Sequence, residues 1–141
     1  MNVRLILALR ATAERLRTGS GYQWGHFGSC NCGHLAQTLT KHSAAQIHAA
    51  ATERAADWGD AAIDYCPSSG FPIDSIIGEM LDAGLTLSDI RHLEDLSDRR
   101  VLCRLPNPTS VRRNERLDIV AYLDAWADLL AEEESFALAA E

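Results

Sequence analysis

Apolar residues recur at steps of three and four along almost the whole chain, and no stretch alternates apolar and polar side chains long enough to make a strand. That pattern restricts the fold to packed helices. Val3, Ile6, Leu9, Ala13 and Leu16 form one stripe with Gly19 behind it as a stop, which predicts a helix over 3–17. A short helix is expected over 33–40. Ser43 with Gln46 three residues on is a capping-box pair that opens an alanine-rich helix to about Asp57. A further helix over 74–83 ends at Gly84, and Thr86 and Ser97 are N-cap residues for short helices over 87–95 and 98–104. Asn114 caps a last helix with the stripe Leu117, Val120, Leu123, Ala127 and Leu130. Glu132, Glu133 and Glu134 oppose the dipole at its far end, which predicts fraying after about residue 131. The expectation is an all-α, compact single-domain bundle of six to seven helices over 1–141.

A chain of 141 residues, 47% of them hydrophobic, has enough apolar surface for one core. No apolar run approaches the ~18 residues of a membrane span. Leu5 to Leu9, held between Arg4 and Arg10, is shorter than the ~7–15 residue core of a secretion signal. A cytoplasmic protein without membrane attachment is expected. A net charge of -7 argues against general nucleic-acid binding, which needs a basic face. Arg99, Arg100, Arg104, Arg112, Arg113 and Arg116 read as a solvated turn offsetting neighbours such as Asp98 and Glu115, the sharper alternative being a docking patch for an anionic protein partner.

Two connections stand apart from the stripes. Residues 19–33 read GSGYQWGHFGSCNCG, with five of the nine glycines and the aromatics Tyr22, Trp24 and Phe27. Residues 58–72 read WGDAAIDYCPSSGFP and add Trp58, Tyr65 and Phe71. Rings that bury 150–250 Å2 each draw such loops inward, and loops built this way commonly hold a site. Tyr22, Trp24, Phe27 and Tyr65 are therefore candidates to surround a bound group.

The cysteines are Cys30, Cys32, Cys66 and Cys103. In a chain of this length without an export signal they are expected as reduced thiols. Cys30-Asn31-Cys32 can present two sulfurs to one centre, and the start of the following helix favours thiolates. A Cys30–Cys32 bridge closes a very small, strained ring. Cys66-Pro67 begins a turn that can bring in a third sulfur. His26 and His34 lead as the fourth ligand, with Cys103 and Ser69 as the other candidates. Cys103, between Leu102 and Leu105, is expected as a small buried residue. His42, His48 and His92 read as surface or capping residues, Asp118, Asp124 and Asp128 as a solvated face, and Asp64 as a group near the site.

The spacing over residues 30–69 resembles that of the bacterioferritin-associated ferredoxin-like domains, which hold a [2Fe-2S] cluster with C-x-C, about thirty residues of helix and then C-x-x-C. The resemblance implies cluster ligands at Cys30, Cys32 and Cys66, with Ser69 standing where the family has its last cysteine. An iron–sulfur cluster is favoured over Zn2+, from the C-x-C register and the aromatic surroundings. Asn31-Cys32-Gly33-His34-Leu35 also resembles the Asn-Cys-Glu-His-Phe box of the lecithin:retinol acyltransferase-like thiol enzymes, which implies a nucleophilic Cys32 with a histidine base. The leading expectation is a metal- or iron–sulfur-binding protein whose Cys/His site forms from loops 19–34 and 58–72 and serves electron transfer or sensing. The alternatives are a thiol-dependent enzyme with Cys32 or Cys30 as nucleophile and His26 as base, or a non-catalytic interaction module.

Overall fold

The computed structural model describes residues 2–19, 21–54 and 56–139. Ser20 of the glycine-rich connection and Ala55 of the expected third helix lie outside the described residues. Among those described, eight helices and no strand are present: α1 (Val3–Arg17), α2 (Asn31–Thr40), α3 (Ala44–Arg54), α4 (Trp58–Ile63), α5 (Pro72–Asp82), α6 (Leu87–Asp95), α7 (Arg99–Leu102) and α8 (Arg116–Ala139). The protein is all-α, as the periodicity requires.

The long helices α1 and α8 make the most extensive helix pair. Leu5, Leu9, Ala13 and Leu16 of α1 are fully buried. The inward face of α8 is Ile119, Tyr122, Leu123, Trp126, Ala127 and Leu130, a wider stripe than the sequence suggested, and Leu117 falls off it with 56% of its surface exposed. Arg10–Asp128 at 2.9 Å and Arg17–Asp124 tie the two helices together at the surface, each worth at most about 1 kcal/mol. The helices α2, α3 and α5 pack on one another, and α4 packs chiefly on α6.

α3 stops at Arg54 rather than about Asp57, α5 begins at Pro72, and α8 begins at Arg116, one residue too late for Asn114 to cap it. Four further departures have a local reason. First, α2 begins two residues early, with Cys30 as its N-cap. Second, part of the second connection is helical: the Asp57 carboxylate accepts the Asp60 N–H at 2.8 Å and opens α4, whose Trp58 is buried. Gly59 hides this short element from a propensity reading. Third, α7 is capped by Asp98 rather than Ser97 and has a single turn, so Cys103 is its exposed C-cap and Val101 takes the core position. Fourth, α8 continues to Ala139. Its acidic run is matched from outside the helix, Arg104 pairing with Glu132 through both terminal nitrogens at 2.9 and 2.7 Å and Arg100 with Glu133 at 3.7 Å. No helix among the described residues is long and apolar enough to cross a membrane.

Candidate functional site

The C-x-C motif sits where the N-terminus of α2 meets the C-terminus of α6. Both ends have backbone groups their own helix leaves unpaired, and they satisfy each other. Asn31 is fully buried. Its Nδ2 donates to the carbonyls of Leu93, Glu94 and Arg113 at 3.1, 3.0 and 3.0 Å, while its Oδ1 accepts the Tyr22 hydroxyl at 3.0 Å. One amide thus fastens the aromatic loop, α6 and the approach to α8 to the first turn of α2. From the other side, the Glu94 carboxylate accepts the Cys32 N–H at 3.2 Å. An acidic residue in the last turn of α6 opposes that helix's dipole, and here it complements the dipole of α2 instead.

Glu94 faces both thiols. Burial pushes the Cys30 and Cys32 thiols well above their ordinary pKa, and the adjacent carboxylate adds to the effect. Burial likewise raises Glu94, against the opposing pull of its bonds to the Cys32 N–H and the two thiols. The helix start therefore does not hold resting thiolates. Cys32 donates to the Ile90 carbonyl at 3.1 Å and is fully enclosed. Cys30 is also buried, makes a long contact of 3.7 Å to the Phe27 carbonyl and borders a cleft of about 370 Å3. Trp24 and Phe27 of the glycine-rich loop, Asp60 and Ile63 of α4, and Glu94 of α6 line the rest of that cleft. At its mouth the Arg113 guanidinium lies 5.2 Å from the centre of the Trp24 ring and pairs with Asp95 at 3.0 Å.

The loop that carries Trp24 and Cys30 is held by backbone-to-backbone proximity. A Cβ on Gly28 meets the Ala44 carbonyl oxygen at 1.9 Å, and one on Gly33 meets the Phe27 oxygen at 2.4 Å. Only glycine allows α2, α3 and this loop to close so tightly. The turn at 26–28 is then pinned by two histidines. His48 accepts the Phe27 N–H at 3.0 Å, His26 accepts the Gly28 N–H at 3.2 Å, and their rings stack with centroids 4.1 Å apart. Trp58 completes the anchor, donating from its indole to the Phe27 carbonyl at 2.9 Å.

His34 is buried with both ring nitrogens engaged, Nδ1 facing Arg15 at 3.2 Å and Nε2 facing the Gly21 carbonyl at 2.9 Å. Nε2 carries the proton in this arrangement, since the guanidinium donates to Nδ1. Burial, followed by the Arg15 charge, holds its pKa below the ordinary 6.5, while the bond to Gly21 opposes them. Protonation therefore favours the unfolded chain. The stability contributed by His34 is complete above pH ~6.5 and declines as pH falls below it, by at most about 1.4 kcal/mol per pH unit. Urea unfolding of the protein and of His34→Gln at pH 7.5 and 5.5 measures this, the variant losing less stability across the interval.

The remaining candidates lie elsewhere. Cys66 is exposed just beyond α4, with the Ser68 hydroxyl 3.5 Å from its sulfur as its nearest partner. The hydroxyl of Ser69 donates to Asp74. Tyr65 packs half-buried on the core, and Asp64 is the exposed C-cap of α4. His42 faces Glu79, and His92 bonds Ser97. His48 is the histidine whose role was underestimated from sequence. Among the described residues, no group of three or more His, Cys, Asp or Glu stands where it could hold a metal ion. Of the nominated residues, Cys30 and Cys32 lie together at the start of α2, His26 and His34 bond within and against the glycine-rich loop, and Cys66 stands exposed beyond α4. Glu94 and Asn31 are the site residues that sequence reasoning missed, and an acidic pair, Glu94-Asp95, at the wrong end of a helix was the available signal for the first. Comparison of the chain with known protein families, with curated proteins and with solved structures finds no match.

Proposed function

We propose that the protein is a thiol-dependent enzyme or binding protein in which Cys30 attacks an electrophile held in the cleft and Glu94 takes the thiol proton. One observation carries this reading: Cys30, buried but the more weakly bonded of the two paired thiols, borders a cleft of about 370 Å3 that Glu94 also lines, and the Glu94 carboxylate accepts the Cys32 N–H beside them. Burial that raises Glu94 moves it toward the thiol range and so makes it a better proton acceptor than an exposed carboxylate. The thiolate that forms as Cys30 reacts lies at the N-terminus of α2, where the Gly33 N–H and the helix dipole stabilise it. The aromatic wall of Trp24 and Phe27 gives the electrophile a surface to pack on.

The test uses protein carrying Cys66→Ser and Cys103→Ser, which removes the exposed thiols. Iodoacetamide is expected to label Cys30 alone in the folded protein, and Glu94→Gln to slow labelling roughly 100-fold, the low end for loss of a general base. A carboxylate acting only as a neighbouring charge predicts the opposite sign. Its removal would lower the thiol pKa and speed labelling, and that outcome overturns the proposal, as does labelling that requires unfolding. Stoichiometric iron or zinc in protein purified without oxygen would replace this reading with a metal centre.

A further inference from the structure

We infer that Cys30 and Cys32 form a redox pair that reduces a small-molecule disulfide, with Cys32 as the resolving thiol; this rests on the reading of Cys30 as nucleophile. The geometry is asymmetric in the way such a pair requires. Both cysteines are buried, but Cys30 borders the cleft with a sulfur held only by a long contact to the Phe27 carbonyl. Cys32, one residue beyond Asn31, does not line it and has its thiol on the Ile90 carbonyl at 3.1 Å. Glu94 lines the cleft with Cys30 and accepts the Cys32 N–H at 3.2 Å, which places one carboxylate beside both thiols for both proton transfers. The cleft, about 370 Å3 with Trp24 and Phe27 on one side, has room for a disulfide with short substituents.

The chemistry balances as follows. Cys30 passes its proton to Glu94, and its sulfur attacks one sulfur of the substrate R–S–S–R. The S–S bond breaks, a mixed disulfide forms on Cys30, and the departing thiolate takes the proton back from Glu94. Cys32 then gives its proton to Glu94 and attacks the Cys30 sulfur. The second thiolate leaves, collects that proton, and a Cys30–Cys32 disulfide remains. Two electrons pass from the dithiol to the substrate, giving two RSH.

The resulting ring is small, and closing it draws Cys32 away from Ile90 and opens the first turn of α2. A strained disulfide of this kind has a relatively oxidising potential, so the exchange is carried forward by excess substrate disulfide and the bridge is readily reduced again, which suits turnover rather than permanent cross-linking. Oxidation should therefore loosen the seam between α2 and α6.

The experiment treats the Cys66→Ser/Cys103→Ser protein with bis(2-hydroxyethyl) disulfide and reads intact mass. The expected product has lost two hydrogens and keeps no adduct, and peptide mapping places the new bond between residues 30 and 32. Adding Cys32→Ser, or Cys32→Ala as a second variant, is expected to trap the mixed disulfide on Cys30. Amide exchange over 30–36 should rise on oxidation and return with dithiothreitol. A Cys30 adduct that persists while Cys32 is present overturns the redox pair and leaves Cys30 as nucleophile. Absence of adduct in every variant overturns both readings, and a 30–32 bond that forms only in denaturant overturns the pair.

Discussion

Gly33→Ala is expected to cost the protein about 3 kcal/mol or more, although the substitution lies inside a helix, where alanine ordinarily gains about 1 kcal/mol over glycine. The reversal comes from what surrounds the position. An added Cβ on Gly33 meets the Phe27 oxygen at 2.4 Å and the Gly28 carbonyl carbon at 2.5 Å, and one on Gly28 meets the Ala44 oxygen at 1.9 Å and its carbonyl carbon at 2.5 Å. All of these are backbone atoms. No side chain can rotate aside, so the loop must lift from α2 and α3, and overpacking costs already reach 1–3 kcal/mol where relief is easier. Lifting the loop also moves the Phe27 carbonyl, which accepts from both Trp58 and the Cys30 thiol. Gly28→Ala should behave in the same way. Gly59→Ala is the control, because its nearest contact is the Asp57 carboxylate at 3.4 Å and the helix should tolerate or favour alanine. Urea unfolding midpoints of the three variants decide the matter. Equal stabilities would mean that the close approach is not what holds the loop.

These contacts mark the limit of what the sequence made legible. The periodic stripes located α1, α5 and α6 to within two residues at either end, because each buries one face and carries its own stop or cap: Gly84 behind α5, and Thr86 with Asp89 in front of α6. Ser43 and Gln46 bond reciprocally in front of α3, as their spacing implied. Where local signals were weak, tertiary partners decided. The end of α8 persists because arginines from another segment meet its glutamates. The site divided in the same way. The glycine-rich loop and the pair at 30 and 32 were visible as composition and spacing, but spacing measures chain distance and carries no direction. It therefore nominated Cys66, which faces solvent, and was silent on Glu94, which reaches the pair only because α6 arrives end-on at α2. The enclosed environment that raises both thiols is likewise a property of packing, where the helix start alone suggested thiolates.

Asn31→Asp is expected to be more damaging than Asn31→Ala, despite matching the native side chain in size. The native amide places two hydrogens among three carbonyl oxygens, two of them in the last turn of α6, where Leu93 has only the long bond from the Leu96 N–H at 3.4 Å. Alanine removes those donors and leaves the Glu94 carbonyl unpaired, while Leu93 keeps the Leu96 N–H at 3.4 Å and the Tyr22 hydroxyl keeps the Arg113 carbonyl at 3.3 Å, a loss of about 1–3 kcal/mol. Aspartate loses the same two N–H donors, keeps an acceptor for the Tyr22 hydroxyl, and sets a negative charge against three carbonyl oxygens, two of them at the negative end of α6, bringing the expected loss to about 3–5 kcal/mol. The sign with pH separates the two causes. The introduced carboxyl is held above its ordinary pKa in the folded state, so the folded state binds the proton more strongly and stability recovers as pH falls, whereas alanine has nothing to titrate. Urea unfolding of both variants between pH 7 and 5 should show the gap between them closing. A gap that stays constant would mean that the charge is not what hurts, and equal losses throughout would mean that the oxygens are not facing the residue at 31. Because Asn31 lies between the two thiols, the aspartate variant should also open the seam that encloses Cys32. Alkylation of Cys32, blocked in the native fold, is therefore expected to appear at neutral pH and to recede as the carboxyl is protonated.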